Sequence, residues 1–361
     1  MESGVVTTLN AWKLLYRGYN YAADETGIHE HWYSRPLSLL AIVKGPAANH
    51  YIHEYYGHGS VLREFGFNDA VYTWGWSPRG GKNATCTSQE IESYGTTEQK
   101  RLYRMGGLAS TQLYLLDAEK EMYLNGRMTL IFTQVMYGAV LDLAYIGGDM
   151  NPQRFNNPSN GGDSAQWLRD FKAGHRNNNA LAVTYADKSR DAVKRAAALN
   201  PAYYWSAATF IHYLWTGSDS FYAPMLPVAG MKFGFSPKVN ITPLGPENYY
   251  YFFARRGGML VSVYRRTGES PEGDVKGYGA ELGPVKIAGL ELTPSYDHWS
   301  LPSSPRLEYS QTGYNAQLKL DLHAYKALSL TGKASYKTKG YMLGQPSHRG
   351  FYAYAGAALT F

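Results

Sequence analysis

The sequence predicts an α+β protein with two parts: a helical region over residues 1–220 and an antiparallel β-barrel of about eight strands over residues 221–361. Three observations lead to this division. The 361 residues include 32 tyrosines, 38 glycines and one cysteine, a composition typical of membrane barrels whose strands alternate apolar and polar side chains. Near residue 220 the pattern changes from helical periodicity to alternation. The net charge of +6 lies wholly in residues 221–361.

The first part is built from helical segments. A helix over 47–65 is framed by a proline near its start and a glycine past its end, and a second helix over 99–124 closes at Asn125–Gly126. The apolar segment over 128–146 contains polar residues, so we expect a buried bundle helix rather than a membrane span. Shorter helices are expected over 164–173, 187–199 and 202–215.

The second part consists of alternating segments separated by turn residues. One of them, Tyr314–Tyr325, alternates apolar and polar side chains without a break. The lengths suit tilted strands that cross a membrane, which need roughly 9–11 residues. A closed barrel is expected because an open sheet edge would leave unpaired backbone groups in lipid. The segments are Met225–Phe235, Tyr249–Arg256, Met259–Thr267, Gly277–Lys286, Leu290–Trp299, Tyr314–Tyr325, Ala327–Tyr341 and Gly350–Phe361.

The last segment ends on Phe361 and resembles the terminal strand of bacterial outer-membrane β-barrel proteins, which typically closes on an aromatic residue. This resemblance implies a bacterial outer membrane as the location and its lipid bilayer as a partner. The first residues lack the pattern of a signal peptide, so such a location would require a leader that this sequence does not show. A soluble antiparallel barrel or sandwich is the alternative.

The clearest chemical signal is the run His53-Glu54-Tyr55-Tyr56-Gly57-His58-Gly59. Two histidines and an adjacent glutamate on one helix can supply two zinc ligands and a base for a zinc-activated water. The histidines are five residues apart, which on an ideal helix places them roughly 140° apart. A local π-helical widening at Gly57 would bring them to one side. The alternative is a structural helix whose histidines bond to neighbouring hydroxyl or carbonyl groups.

This run resembles the HExxGH zinc motif of the dipeptidyl peptidase III family of metallopeptidases. The resemblance implies that His53 and His58 bind zinc and that Glu54 is the general base. The family's third ligand is a glutamate in an acidic motif on a later helix, and that motif is absent here. The helix over 99–124 offers Asp117 as the third ligand, with Glu121 in reserve, and its Gly106–Gly107 end would let it pack close to the motif helix.

Together these features predict an outer-membrane zinc-dependent metallohydrolase that cleaves a peptide or protein substrate. Two alternatives stay open: a non-enzymatic binding or transport barrel with a helical plug, and a soluble metallohydrolase with an accessory β domain. The basic pairs after residue 221 lack the density of a phosphate-tracking stripe, so nucleic acid is not expected as a partner. The single Cys86 excludes a disulfide scaffold and a cysteine-ligated zinc site.

Overall fold

The computed structural model describes residues 1–25, 35, 46–74, 84–157, 161–302, 312–325 and 328–359. The terminal Phe361, on which the resemblance to outer-membrane strands rests, lies outside them.

The first part of the chain is helical, as expected. Thr96 starts its longest helix with a capping box, in which the Thr96 and Gln99 side chains bond to each other's backbone N–H groups. Gly126 ends that helix in the left-handed conformation at φ 69°. The segments are α1 (Glu2–Glu25), α2 (Pro46–Tyr51), a π-helix (Ile52–His58), α3 (Gly59–Glu64), α4 (Gln89–Tyr94), α5 (Thr97–Asn125), α6 (Leu130–Asp149), α7 (Pro152–Phe155), α8 (Asp163–Gly174), α9 (Asn179–Leu199) and α10 (Pro201–Thr216).

The strands lie mainly in the second part. They are β1 (Val71–Trp74), β2 (Ala84–Thr87), β3 (Arg127–Thr129), β4 (Ser220–Tyr222), β5 (Leu226–Val228), β6 (Met231–Thr242), β7 (Gly245–Arg256), β8 (Met259–Ser270), β9 (Gly273–Gly283), β10 (Val285–Ile287), β11 (Leu290–Ser300), β12 (Thr312–Tyr325), β13 (Leu328–Lys337) and β14 (Gly350–Leu359). Strands β1 and β2 form a separate pair, as do β3 and β4.

The remaining ten strands form one antiparallel sheet in the order β14-β13-β12-β11-β9-β8-β7-β6-β5, with β10 paired to β11. The predicted alternating segments therefore do form a large antiparallel sheet. Closure into a barrel is not found, because no pairing within the described ranges joins β14 to β5 or β6. The sheet has a gap between these end strands.

The outward face of this sheet is apolar. The register places one row of partners across seven strands on the same face: Phe252, Val263, Ala280, Tyr296, Ala316, Tyr336 and Phe351. Phe252, Val263, Tyr296 and Phe351 are between 42% and 70% exposed. Leu318, which follows Ala316 on this face of β12, is also exposed. This face carries large apolar side chains that no described residue covers.

The inward face of the sheet packs against α5 and carries both aromatic and charged side chains. Lys238 on β6 and Glu119 on α5 are both fully buried, and their charged atoms lie 2.5 Å apart. Lys120 pairs with Glu281 on β9 at 2.8 Å, and Tyr123 donates a hydrogen bond to the Phe235 carbonyl. The sheet thus buries some of its charged side chains against a helix and exposes large apolar ones, whereas a sheet whose outer face meets water exposes polar side chains there.

Candidate metal centre

A close helix crossing fixes the position of the two histidines. The motif helix widens to a π-helix over Ile52–His58, which confirms the widening expected at Gly57. A Cβ atom at Gly57 would lie 2.6 Å from the Gly107 Cα atom, and one at Gly106 would lie 2.8 Å from the Gly57 carbonyl oxygen. The backbones of the motif helix and α5 therefore touch at positions that only glycine can occupy, which confirms the expected packing of the Gly106–Gly107 end.

Each histidine is held by a partner on one ring nitrogen. The Nδ1 atom of His58 lies 2.6 Å from the backbone carbonyl oxygen of Tyr103, so this nitrogen carries the proton and donates it. The Nδ1 atom of His53 lies 3.2 Å from Oδ1 of Asp142. Metal-binding histidines commonly use one nitrogen in this way, since the bond fixes the tautomer and frees the other nitrogen for the metal.

The other two ring nitrogens converge on one carboxylate oxygen. Oδ2 of Asp163 lies 3.2 Å from Nε2 of His53 and 3.4 Å from Nε2 of His58. Ligands of a tetrahedral zinc ion, with bonds of about 2.0–2.1 Å, lie about 3.3–3.4 Å from one another. Both distances from the Asp163 oxygen to the histidine nitrogens therefore match the spacing of ligands to a single ion. Asp163 is the first residue of α8, and its N–H donates to the Tyr145 hydroxyl at 3.2 Å.

Glu54 completes the cluster. It is buried, and its Oε2 atom lies 4.0 Å from Nε2 of His58. Ligand atoms of His53, Glu54 and His58 all lie within 4.8 Å of one another. This buried group can hold a metal ion, with Asp163 beside it. Because two imidazoles and a carboxylate also suit non-haem iron, the donor set does not by itself choose the metal.

The charges of the cluster depend on one another. Burial alone would lower the pKa of His53, but Asp142 and Asp163 outweigh burial and raise it well above its ordinary value. The pKa of His58 is likewise raised, with Asp163 outweighing burial. Burial would raise the pKa of Asp163, but the two histidines hold it well below its usual range. The site thus attracts positive charge at its centre, which a cation can supply in place of protons.

The structure brings together three of the four residues expected at the site and places the fourth elsewhere. His53, Glu54 and His58 form the cluster. Asp117 lies ten residues beyond Gly107 on α5, about 15 Å along the helix axis at 1.5 Å per residue. Its charged neighbours include Lys120, Glu2, Glu281 and Lys333.

The reserve ligand Glu121 pairs instead with Lys13. Asp163 takes the place expected of Asp117. One signal in the sequence could have indicated Asp163: it is an acidic residue directly after Gly161–Gly162, at the start of an expected helix.

Aromatic side chains flank the motif helix on the side of the β1–β2 hairpin. Tyr51 stacks on Tyr55 with ring centroids 5.3 Å apart and lies 5.5 Å from Trp74. The Arg63 guanidinium lies over the Tyr55 ring at 4.7 Å. Tyr51 and Trp74 are exposed. These rings account for some of the tyrosine excess close to the cluster.

Comparison with known proteins adds no assignment. No protein-family model, no curated protein and no solved structure matches this chain. The geometry and chemistry of the site are therefore the basis for a function.

Proposed function

We propose that this chain is a metal-dependent hydrolase of the outer membrane, with zinc as its ion and a peptide amide as the bond it cleaves. One observation carries the hydrolase proposal: both histidines have Nδ1 tied to a partner and Nε2 directed at the Asp163 carboxylate, with Glu54 beside them. His53, His58 and Asp163 would hold the ion. Glu54 would then be free to exchange a proton.

The chemistry follows from these roles. A bound zinc ion would act as a Lewis acid that polarises the scissile carbonyl and lowers the pKa of the water bound to it. Glu54 accepts a proton from the attacking water and returns it to the amide nitrogen as the C–N bond breaks, so one water is consumed and one carboxylate and one amine are formed. The Tyr103 carbonyl and Asp142 keep the two imidazoles oriented throughout.

Metal analysis of the purified full chain tests this proposal. Wild type should hold about one zinc per chain, and His53→Ala and His58→Ala should each lose it. Glu54→Gln should keep the metal and lose cleavage of a mixed peptide library, a drop of at least 100-fold for a general base. Glu121→Gln, whose carboxylate pairs with Lys13 outside the cluster, is the matched control and should keep both. Wild type without metal, or Glu54→Gln with full activity, would refute the hydrolase.

The membrane part of the proposal is supported by the polarity of the sheet. Its exposed face carries a row of mainly apolar residues across seven paired strands, while Lys238 of β6 is buried against Glu119 of α5. Hydrocarbon chains suit such a face, whereas contiguous apolar patches of this kind are rare on surfaces that meet water. The protein should require detergent to stay monomeric. A chain that is folded and monomeric in plain buffer would contradict the membrane location.

A second candidate function is a binding or transport protein with a helical plug. The fully buried pair Lys238–Glu119 and the partly buried pair Lys120–Glu281 favour it, because they hold α5 against the inward face of the sheet as a plug would be held. This candidate predicts that metal binds without turnover. Wild type and Glu54→Gln would then be equally inactive towards every peptide tested.

A further inference from the structure

The gap in the sheet is bordered by helices. On the β14 side, Lys333 of β13 pairs with Glu2 at the start of α1. Trp12 of α1 donates a hydrogen bond to Gln134 of α6, which links α1 to α6. Helix α10 packs against α6 and also contacts β6, near the other end of the sheet. The contacts therefore run from β13 through α1, α6 and α10 to β6.

Two of these helices present apolar residues outward. On α6, Tyr137, Leu141 and Tyr145 follow a four-residue spacing along one face and are 42–43% exposed. On α10, Ile211 is 65% exposed and Trp215 is 85% exposed. Within Pro201–Thr216 no aspartate, glutamate, lysine or arginine occurs.

A neighbouring helix shows what a water-facing surface looks like in this protein. Helix α9 directly precedes α10 in the chain, and its exposed positions include Asp187, Asp191, Lys194 and Arg195. A helix on a water-facing surface carries such charged residues on its outer face. Helix α10 lacks the charged outer face that α9 has.

We propose that α6 and α10 close the gap in the sheet as a helical wall that faces the hydrocarbon region of the bilayer. The surface in contact with lipid would then consist of strands and these two helices. This inference rests on the proposed membrane location. Helix α6 has 20 residues, its length and composition are sufficient to cross a membrane, and 61% of its apolar window is buried inside the protein. At 1.5 Å per residue it is about 30 Å long, the thickness of the hydrocarbon core, and α10 covers about 24 Å of it.

The inner face of α6 is packed against the protein interior. Helix α6 buries Phe132, Val135, Met136 and Ala139 in the same core cluster as Tyr123 of α5. One side of α6 is therefore packed on the protein interior while the other is open. An apolar outer side is costly in water but matches acyl chains, which form no hydrogen bonds with it.

Lipid-depth quenching tests the wall. Each of four single-cysteine variants of the full chain, in a Cys86→Ala background, carries an NBD fluorophore in phosphatidylcholine vesicles with and without doxyl-labelled lipid. Leu141→Cys and Ile211→Cys report on the helical wall, Val263→Cys on the sheet and Lys194→Cys on the water-facing α9. We expect strong quenching at 141, 211 and 263, and at most slight quenching at 194.

The outcomes separate this inference from the membrane location. Quenching at 263 without quenching at 141 and 211 would overturn the helical wall and leave the sheet in lipid. No quenching at 263 would overturn the membrane location, and the wall with it. Energy transfer between labels at 211 on different chains would show a second copy in place of lipid, which also overturns the wall.

The unlabelled protein provides a second measurement that does not depend on labelling. In vesicles of brominated phosphatidylcholine, wild-type tryptophan fluorescence should be quenched, and the quenched share should fall in Trp215→Phe because Trp215 is the most exposed tryptophan on α10. An unchanged quenched share would contradict contact between α10 and lipid.

Discussion

Substituting Gly107 by alanine places a methyl group where the His53 imidazole now lies. An added Cβ atom would be 2.2 Å from Nε2 and 2.4 Å from both Cδ2 and Cε1 of His53. Ordinary contact begins at 3.4 Å, so the ring would have to move by about 1.2 Å. His53 is buried between Asp142 and Asp163, which leaves little room for that movement.

This displacement exceeds what a metal site tolerates. Productive geometry is held within about 0.5 Å, so a ring moved by about 1.2 Å no longer places Nε2 at ligand distance. We expect metal affinity to fall by at least about 100-fold, since disturbing even a residue that only supports a ligand costs 10- to 100-fold. Overpacking should also cost about 1–3 kcal/mol of stability.

Competition with a chromophoric chelator measures the affinity, and thermal melting with and without the chelator measures the stability. Gly18→Ala is the matched control, because it is also a helical glycine but an added Cβ atom there would meet open space. Alanine should stabilise that helix by up to about 1 kcal/mol and leave metal binding unchanged. Wild-type affinity in Gly107→Ala would refute the placement of His53 as a ligand.

Three further predictions concern single residues. Burial raises the pKa of the Cys86 thiol to about 12. At pH 8 the native protein should therefore react with iodoacetamide about a thousandfold more slowly than the unfolded chain, and similar rates would contradict the burial of Cys86. Glu119→Gln leaves the Lys238 ammonium buried without a counter-charge, so the free energy of unfolding measured with denaturant should fall by about 3–5 kcal/mol. Replacing both residues by apolar ones should recover most of that free energy. Tyr145→Phe removes the hydroxyl that accepts a hydrogen bond from the Asp163 N–H, and metal binding in a chelator titration should weaken by up to about tenfold. An unchanged metal affinity would show that this hydrogen bond does not position the Asp163 carboxylate.

Local features of the fold follow from the sequence. The spacing of five between His53 and His58, with Gly57 between them, predicted the π-helix, because only a widened turn brings both rings to one side. Strict alternation predicted the long strands, since the side-chain period of a strand is two residues wherever the strand lies. Both conclusions depend on residues that are close together in the chain.

Features that depend on distant residues could not be predicted. Asp163 reaches His53 across 110 residues, and its position at a helix start after Gly161–Gly162 does not by itself connect it with the histidines. Asp117 lies on the predicted helix that packs against the motif helix, but α5 is so long that its two ends have different surroundings. Alternation shows that each strand has two faces, yet the gap in the sheet depends on which strands pair at its ends.

The identity of the third ligand tests the central claim most directly. Zinc content and affinity should be measured by elemental analysis and chelator competition for wild type, Asp163→Asn and Asp117→Asn. The geometry predicts about one ion per chain in wild type and in Asp117→Asn, and at least tenfold weaker binding in Asp163→Asn. Undiminished zinc affinity in Asp163→Asn, or its loss in Asp117→Asn, would contradict a metal centre built on His53, His58 and Asp163.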